Sequence, residues 1–154
     1  GNGDCNLTFT SKNPKTVSVG SNTGIATIKG EGKALININA AMTTIYKAST
    51  LEVWIKVFPI KIDLTKAFSP CSKELFFSWT KDSKCSGYVI TIATDNKFSK
   101  NVISKTINSS KTITKLIKQL KSKTKYYAKV KAYKISCNEK MSGPWSNIIC
   151  VKTK

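Results

Sequence analysis

Arginine and histidine are both absent from this 154-residue chain, and only eight acids stand against 26 lysines. Without histidine, neither a Ser-His-Asp nor a Cys-His arrangement can be built, and imidazole ligation of a metal is excluded. Without arginine there is no planar fork for guanine edges or phosphates, which argues against sequence-specific nucleic-acid readout. No apolar run approaches the roughly 18 residues of a membrane span, and no signal peptide opens the chain. The five cysteines include no CxxC pair, so the pattern offers no zinc site. Asp63, Glu74, Asp82 and Asp95 fall in turns or at strand edges with no shared motif spacing, and Gly30-Glu31-Gly32 is a turn with no helix behind it to cradle phosphate. Catalytic, cofactor-binding and metal residues are therefore all expected to be absent.

What is present is lysine, to a net charge of +18. Such a charge supports loose adhesion to any polyanion. A lysine, isoleucine and asparagine bias is also what AT-rich coding produces, and drift with solubility is the plainer reading. The charge is uneven. Residues 1–58 carry six lysines and three acids, and the remainder carries twenty and five. Between them, Val57-Phe58-Pro59-Ile60-Lys61 reads as a strand end and a short stiff linker. Gly1-Asn2-Gly3-Asp4 opens without a methionine, so the chain is read as a piece of something longer.

An all-β pattern runs throughout. In the first part, Leu7 to Thr10 alternates, Asn13-Pro14 turns, Thr16 to Val19 is a short strand, and Gly20 to Gly24 is a hairpin loop before Ile25 to Ile28. Ala34, Ile36, Ile38 and Ala40 mark one face of a longer strand, and Leu51, Val53, Ile55 and Val57 mark the last. Trp54 faces away from that apolar set. In the second part, Phe76 to Trp79, Gly87 to Ala93, Val102 to Ile107, Thr112 to Ile117 and Ile148 to Val151 are strands. From Tyr126 the chain places Tyr126, Ala128, Val130 and Ala132 on a buried face. Lys125, Tyr127, Lys129, Lys131 and Tyr133 fall on a wet, positive one. Trp79, Tyr88 and Tyr126 are expected in the core.

Two resemblances follow. Thr8 to Pro14, Val17-Ser18-Val19, Gly24-Ile25-Ala26, Gly32 to Ile38 and Tyr46 to Thr50 resemble the bacterial immunoglobulin-like domains of group 2, across residues 5 to 58. Against that resemblance, the first one or two strands of such a domain are expected to lie outside this sequence. A half sandwich exposes core face and an unpaired edge, so strand complementation or dimerisation through this unit is expected, with lower stability if it is monomeric. Trp79, Gly87-Tyr88, Leu120…Thr124…Tyr126, Ala132 and Pro144-Trp145-Ser146 together resemble a fibronectin type III domain over residues 60 to 154, and Tyr126 resembles the tyrosine corner of such sandwiches. The expected organisation is tandem immunoglobulin-like β-sandwiches, 1–58 partial and 59–154 complete.

The pairing of these domain types resembles modular surface or secreted proteins of Gram-positive gut bacteria. It implies a non-catalytic spacer, display or adhesion segment, extracellular or at the cell surface. The alternatives are a module that binds anionic polymers or glycans, or an accessory module of a larger secreted carbohydrate-active enzyme. Partners on this reading are cell-wall polymer, glycan or a host surface protein. The fibronectin-like topology puts Cys85 and Cys137 at one pole and Cys71 and Cys150 toward the other. If the thiols oxidise, the expected pairs are Cys85–Cys137 and Cys71–Cys150, with Cys5 left over, while scattered reduced thiols are the equal alternative. Tyr127, Lys129, Lys131, Tyr133 and Trp145 form the candidate binding strip, against the plainer reading that lysine stems merely cover the rings. Asn6-Leu7-Thr8 and Asn108-Ser109-Ser110 fit glycosylation sequons.

Overall fold

The computed structural model describes residues 6–154 as strands, turns and loops, in two compact units that divide between Val57 and Phe58. In the first unit, β1 (Leu7–Ser11), β4 (Gly32–Ala40) and β5 (Ser49–Val57) form an antiparallel sheet in the order β1-β4-β5. β2 (Val17–Val19) and β3 (Ala26–Ile28) form a separate two-stranded ribbon. The loop between them needs Gly24, whose φ of +69° is costly for a side chain and whose α-carbon lies against the Phe9 ring. The Ser11 hydroxyl donates to the Val17 carbonyl at 2.6 Å and ties the ribbon to β1.

Alternation along β4 buries Ala34 and Ile36 beside Val17, with Val19, Ile38, Ile55 and Val57 packed around them. Among the described residues that is a core of three buried side chains, against sixteen in the second unit, so the first unit holds far less apolar stabilisation. Leu51 and Val53, on the same face as Ile55, remain 62% and 38% exposed.

The second unit is a two-sheet sandwich. One sheet holds β6 (Leu64–Phe68), β7 (Leu75–Trp79) and β10 (Thr114–Ile117) in the order β10-β7-β6. The other holds β8 (Gly87–Ala93), β9 (Ile103–Ile107), β11 (Lys125–Ser136), β12 (Glu139–Ser142) and β13 (Ile149–Lys152). β8 lies between β9 and β11, while β12 and β13 pair with opposite ends of β11. Leu75, Phe77 and Trp79 from one sheet meet Tyr88, Ile90 and Ile92 and Tyr126, Ala128, Val130 and Ala132 from the other. Trp79 and Tyr88 pack edge to face at 5.5 Å between ring centroids.

Three polar devices close this sandwich. The Lys121 amide donates to the Tyr126 hydroxyl at 3.1 Å, which fixes the corner before β11. Buried Thr153 accepts the Thr124 amide at 3.0 Å and donates to the Lys121 carbonyl at 2.7 Å, pinning the chain after β13 to that corner. Asn147 accepts the Leu64 amide at 2.9 Å and returns a bond to the Leu64 carbonyl at 3.1 Å, doing the work of a strand pair with one side chain. β6 and β12 had no counterpart among the strands expected from sequence, and β11 runs past Ala132 to Ser136.

Candidate functional site

The outward face of β11 is built by its own pleat and by the segment between β12 and β13. Gly143 donates to the Ala132 carbonyl at 2.9 Å, and Ser146 donates to the Val130 carbonyl at 2.8 Å. The Ser146 hydroxyl accepts the Val130 amide at 3.0 Å. These bonds lay the intervening Trp145 ring across β11. Lys129 and Lys131 hold their ammonium nitrogens 4.6 Å from its centroid, one each.

Lys129 also lies 3.9 Å from the Phe98 ring. Phe98 sits at φ +56° in the loop between β8 and β9. There Asp95 accepts the amides of Lys100 (2.7 Å) and Ser99 (3.0 Å) and the Ser99 hydroxyl (2.8 Å). Those bonds, the Lys100 amide foremost, hold the Asp95 carboxyl below its ordinary pKa. The result is a four-member stack, Phe98–Lys129–Trp145–Lys131. Each contact of this kind contributes about 0.5–1 kcal/mol at a partly exposed site. Tyr127 stands half-buried on the same face, opposite Ala93 and Cys150.

Tyr133 departs from the expectation. Alternation puts it on the outward face, yet it is only 1% exposed. Its cross-strand neighbour is Gly87, which has no side chain to prop the ring outward. The hydroxyl donates to Asn108 Oδ1 at 2.6 Å, and Lys140 covers the ring with its nitrogen 4.1 Å from the centroid. Burial raises the pKa of the phenol. Tyr133 therefore belongs to the scaffold and leaves the strip.

No disulfide joins Cys71, Cys85, Cys137 and Cys150 to one another among the described residues. Cys85 is buried and its Sγ donates to the Asp82 carbonyl at 3.2 Å. Cys137 is exposed in the two-residue turn between β11 and β12, where Cys137 and Asn138 take φ of +49° and +58° as a type I′ hairpin requires. Cys71 and Cys150 are exposed on the β6–β7 turn and on β13. Cys5 lies outside the described residues.

Trp54 is half exposed, with the Lys33 nitrogen 4.7 Å from its ring. Asn6 and Asn108, the sequon asparagines, are exposed. Tyr88 is strongly perturbed. Burial, only partly offset by the bond from the Asp82 amide at 2.9 Å, pushes its pKa up to about 12. Its single hydroxyl proton is shared between the Asp82 and Ser110 carbonyls at 3.2 and 3.1 Å, so its bonds are spent on the β7–β8 and β9–β10 loops. No group of three or more candidate metal ligands occurs among the described residues.

A second cationic feature was not visible in the sequence. Lys105 of β9 and Lys115 of β10 line one open groove, where an edge of each sheet comes together. Lys118 borders it and pairs with Glu74 at 3.3 Å. Lys105 and Lys115 stand ten positions apart in the chain, and only the sandwich closure makes them neighbours.

Among solved structures, the FN1-FN3 domains of chicken CNTN1 superpose with a TM-score of 0.52 at 16% identity, covering 97% of this chain and 57% of that one. The fold is that of the fibronectin type III and immunoglobulin-like β-sandwiches. The FN5 domain of Drosophila Lar aligns with 62% of this chain and 96% of its own, at 24% identity and a TM-score of 0.48. At these identities the likeness is one of fold. No protein-family model and no curated protein matches the chain. No helix long and apolar enough to cross a membrane occurs among the described residues.

Proposed function

We propose that this chain is a non-catalytic spacer and display segment of an exported, modular bacterial surface protein. On this reading an incomplete bacterial immunoglobulin-like unit of group 2 precedes a fibronectin type III unit. The observation that carries it is the stack on β11. Lys129 and Lys131 fold over Trp145 and Phe98 instead of converging on a common point. Tyr133, which completed the strip on paper, is buried. The side chains with most chemistry to offer are engaged in holding the sandwich together, as a spacer requires.

The second reading is a binding module for anionic polymers or glycans. Lysines on the groove between β9 and β10 favour it, as does the surplus of twenty lysines over five acids after residue 58. Retention on heparin separates the two. The spacer reading expects release below about 0.2 M salt, as a nonspecific charge effect would give. Retention well above that, lost in Lys105→Gln/Lys115→Gln, replaces the spacer with the binding module.

A further inference from the structure

The free edge of β5 carries the inference furthest. β5 pairs with β4 along all nine of its residues, and among the described residues it pairs with nothing else. Its outer edge has no strand partner among the described residues, beside exposed Leu51, Val53 and Trp54.

We infer that this edge pairs with the β5 edge of a second copy of the chain, antiparallel and centred on Trp54. The sequence of the strand is self-complementary in that register. Directly opposite residues of an antiparallel pair point to the same side of the sheet, so a two-fold axis must pass through a residue if the two apolar faces are to coincide. Centring on Trp54 sets Leu51 against Val57 of the second copy and Val53 against its Ile55. Each exposed apolar residue then meets a half-covered one, and the core face runs on across the junction. On the opposite face Glu52 meets Lys56 of the second copy twice over, and the two Trp54 rings meet at the axis.

The neighbouring registers lack this match. Centring on Val53 sets Glu52 against Trp54 and Lys56 against Thr50, and centring on Ile55 leaves Leu51 and Glu52 beyond the overlap. The charge pairing thus selects one register. The product is a continuous six-stranded sheet in the order β1-β4-β5-β5-β4-β1, closed by symmetry so that it adds no further copies at this edge.

The test is sedimentation velocity of the 154-residue chain in reductant, over a concentration series, with circular dichroism to check folding. Wild type is expected to show a concentration-dependent dimer. Glu52→Lys or Lys56→Glu each sets like charges opposite at two symmetric positions and weakens the dimer about tenfold or more. The double exchange Glu52→Lys/Lys56→Glu returns the affinity toward wild type, which a merely destabilised fold would not. Leu51→Lys, at a position already open to solvent, gives monomer. A wild type that stays monomeric at every concentration overturns the inference, as does a dimer indifferent to both single exchanges. A double exchange no better than the singles overturns the Trp54 register. None of these outcomes bears on the spacer reading.

Discussion

The Tyr126 hydroxyl accepts the Lys121 amide across 3.1 Å, so the residue that heads β11 also holds the corner leading into it. Tyr126→Phe keeps the buried ring and leaves that amide without its acceptor. The expected cost is about 1–2 kcal/mol, since an orphaned donor in a partly buried turn loses more than one average hydrogen bond. Equilibrium denaturation of the variant should show a lower midpoint with an unchanged slope. A midpoint equal to wild type would mean that water replaces the phenol freely.

Gly87 sits under Tyr133. A methyl group placed there would stand 2.0 Å from the Ile107 carbonyl oxygen and 2.8 Å from the Tyr133 hydroxyl. The first of these is backbone and cannot swing away, so Gly87→Ala must spread β8 from β9 as well as lift the ring. A loss of about 1–3 kcal/mol follows. Tyr133→Phe removes only the bond to exposed Asn108 and should cost less. Thermal melts of the two variants side by side check the order, and the reverse order would place the strain elsewhere.

These two tyrosines also mark how far the sequence could be read. Alternation alone identified Tyr126, Ala128, Val130 and Ala132 as a buried face, because Leu75, Phe77 and Trp79 of the facing sheet pack against that side of the strand. The same alternation misplaced Tyr133. It assigns a side of the sheet, but whether a ring on that side lies open depends on the residue across from it, here a glycine. β12 escaped notice because Glu139-Lys140-Met141-Ser142 offers one apolar residue, too few for a period. In β6 a register shift between Leu64 and Lys66 breaks the alternation. The stack of Phe98, Lys129, Trp145 and Lys131 gathers residues from three separate stretches of chain. Of the four, Phe98 carried no local signal at all.

The cysteines predict a selective labelling pattern. Cys71, Cys137 and Cys150 are exposed, while Cys85 is 6% exposed with its sulfur turned onto the Asp82 carbonyl. Alkylation of the folded protein should modify the peptides carrying the first three and spare Cys85 until denaturant is added. Mass spectrometry of the digested protein reads this directly. Native protein that takes up no label at Cys137 or Cys150 but gains it on reduction would establish the disulfide reading instead.

Tyr88 gives the sandwich a defined response to alkali. In the unfolded chain a tyrosine ionises near pH 10, as a typical value. In the folded chain burial keeps Tyr88 neutral up to about 12. Between those values the unfolded state has released a proton that the folded state still holds, so stability falls as pH rises. The contribution is whole below about pH 10 and is lost progressively up to about 12, and Tyr133, raised for the same reason, adds in the same direction. Tyr88→Phe is less stable at neutral pH, because the Asp82 amide loses its acceptor. Its decline across this window should nonetheless be shallower than that of wild type. Every other ionisable group is common to both proteins, so the difference between the two profiles isolates the phenol. Parallel profiles from about pH 9 to 12 would show that Tyr88 ionises alike in both states, and would remove it as the source of the alkaline slope.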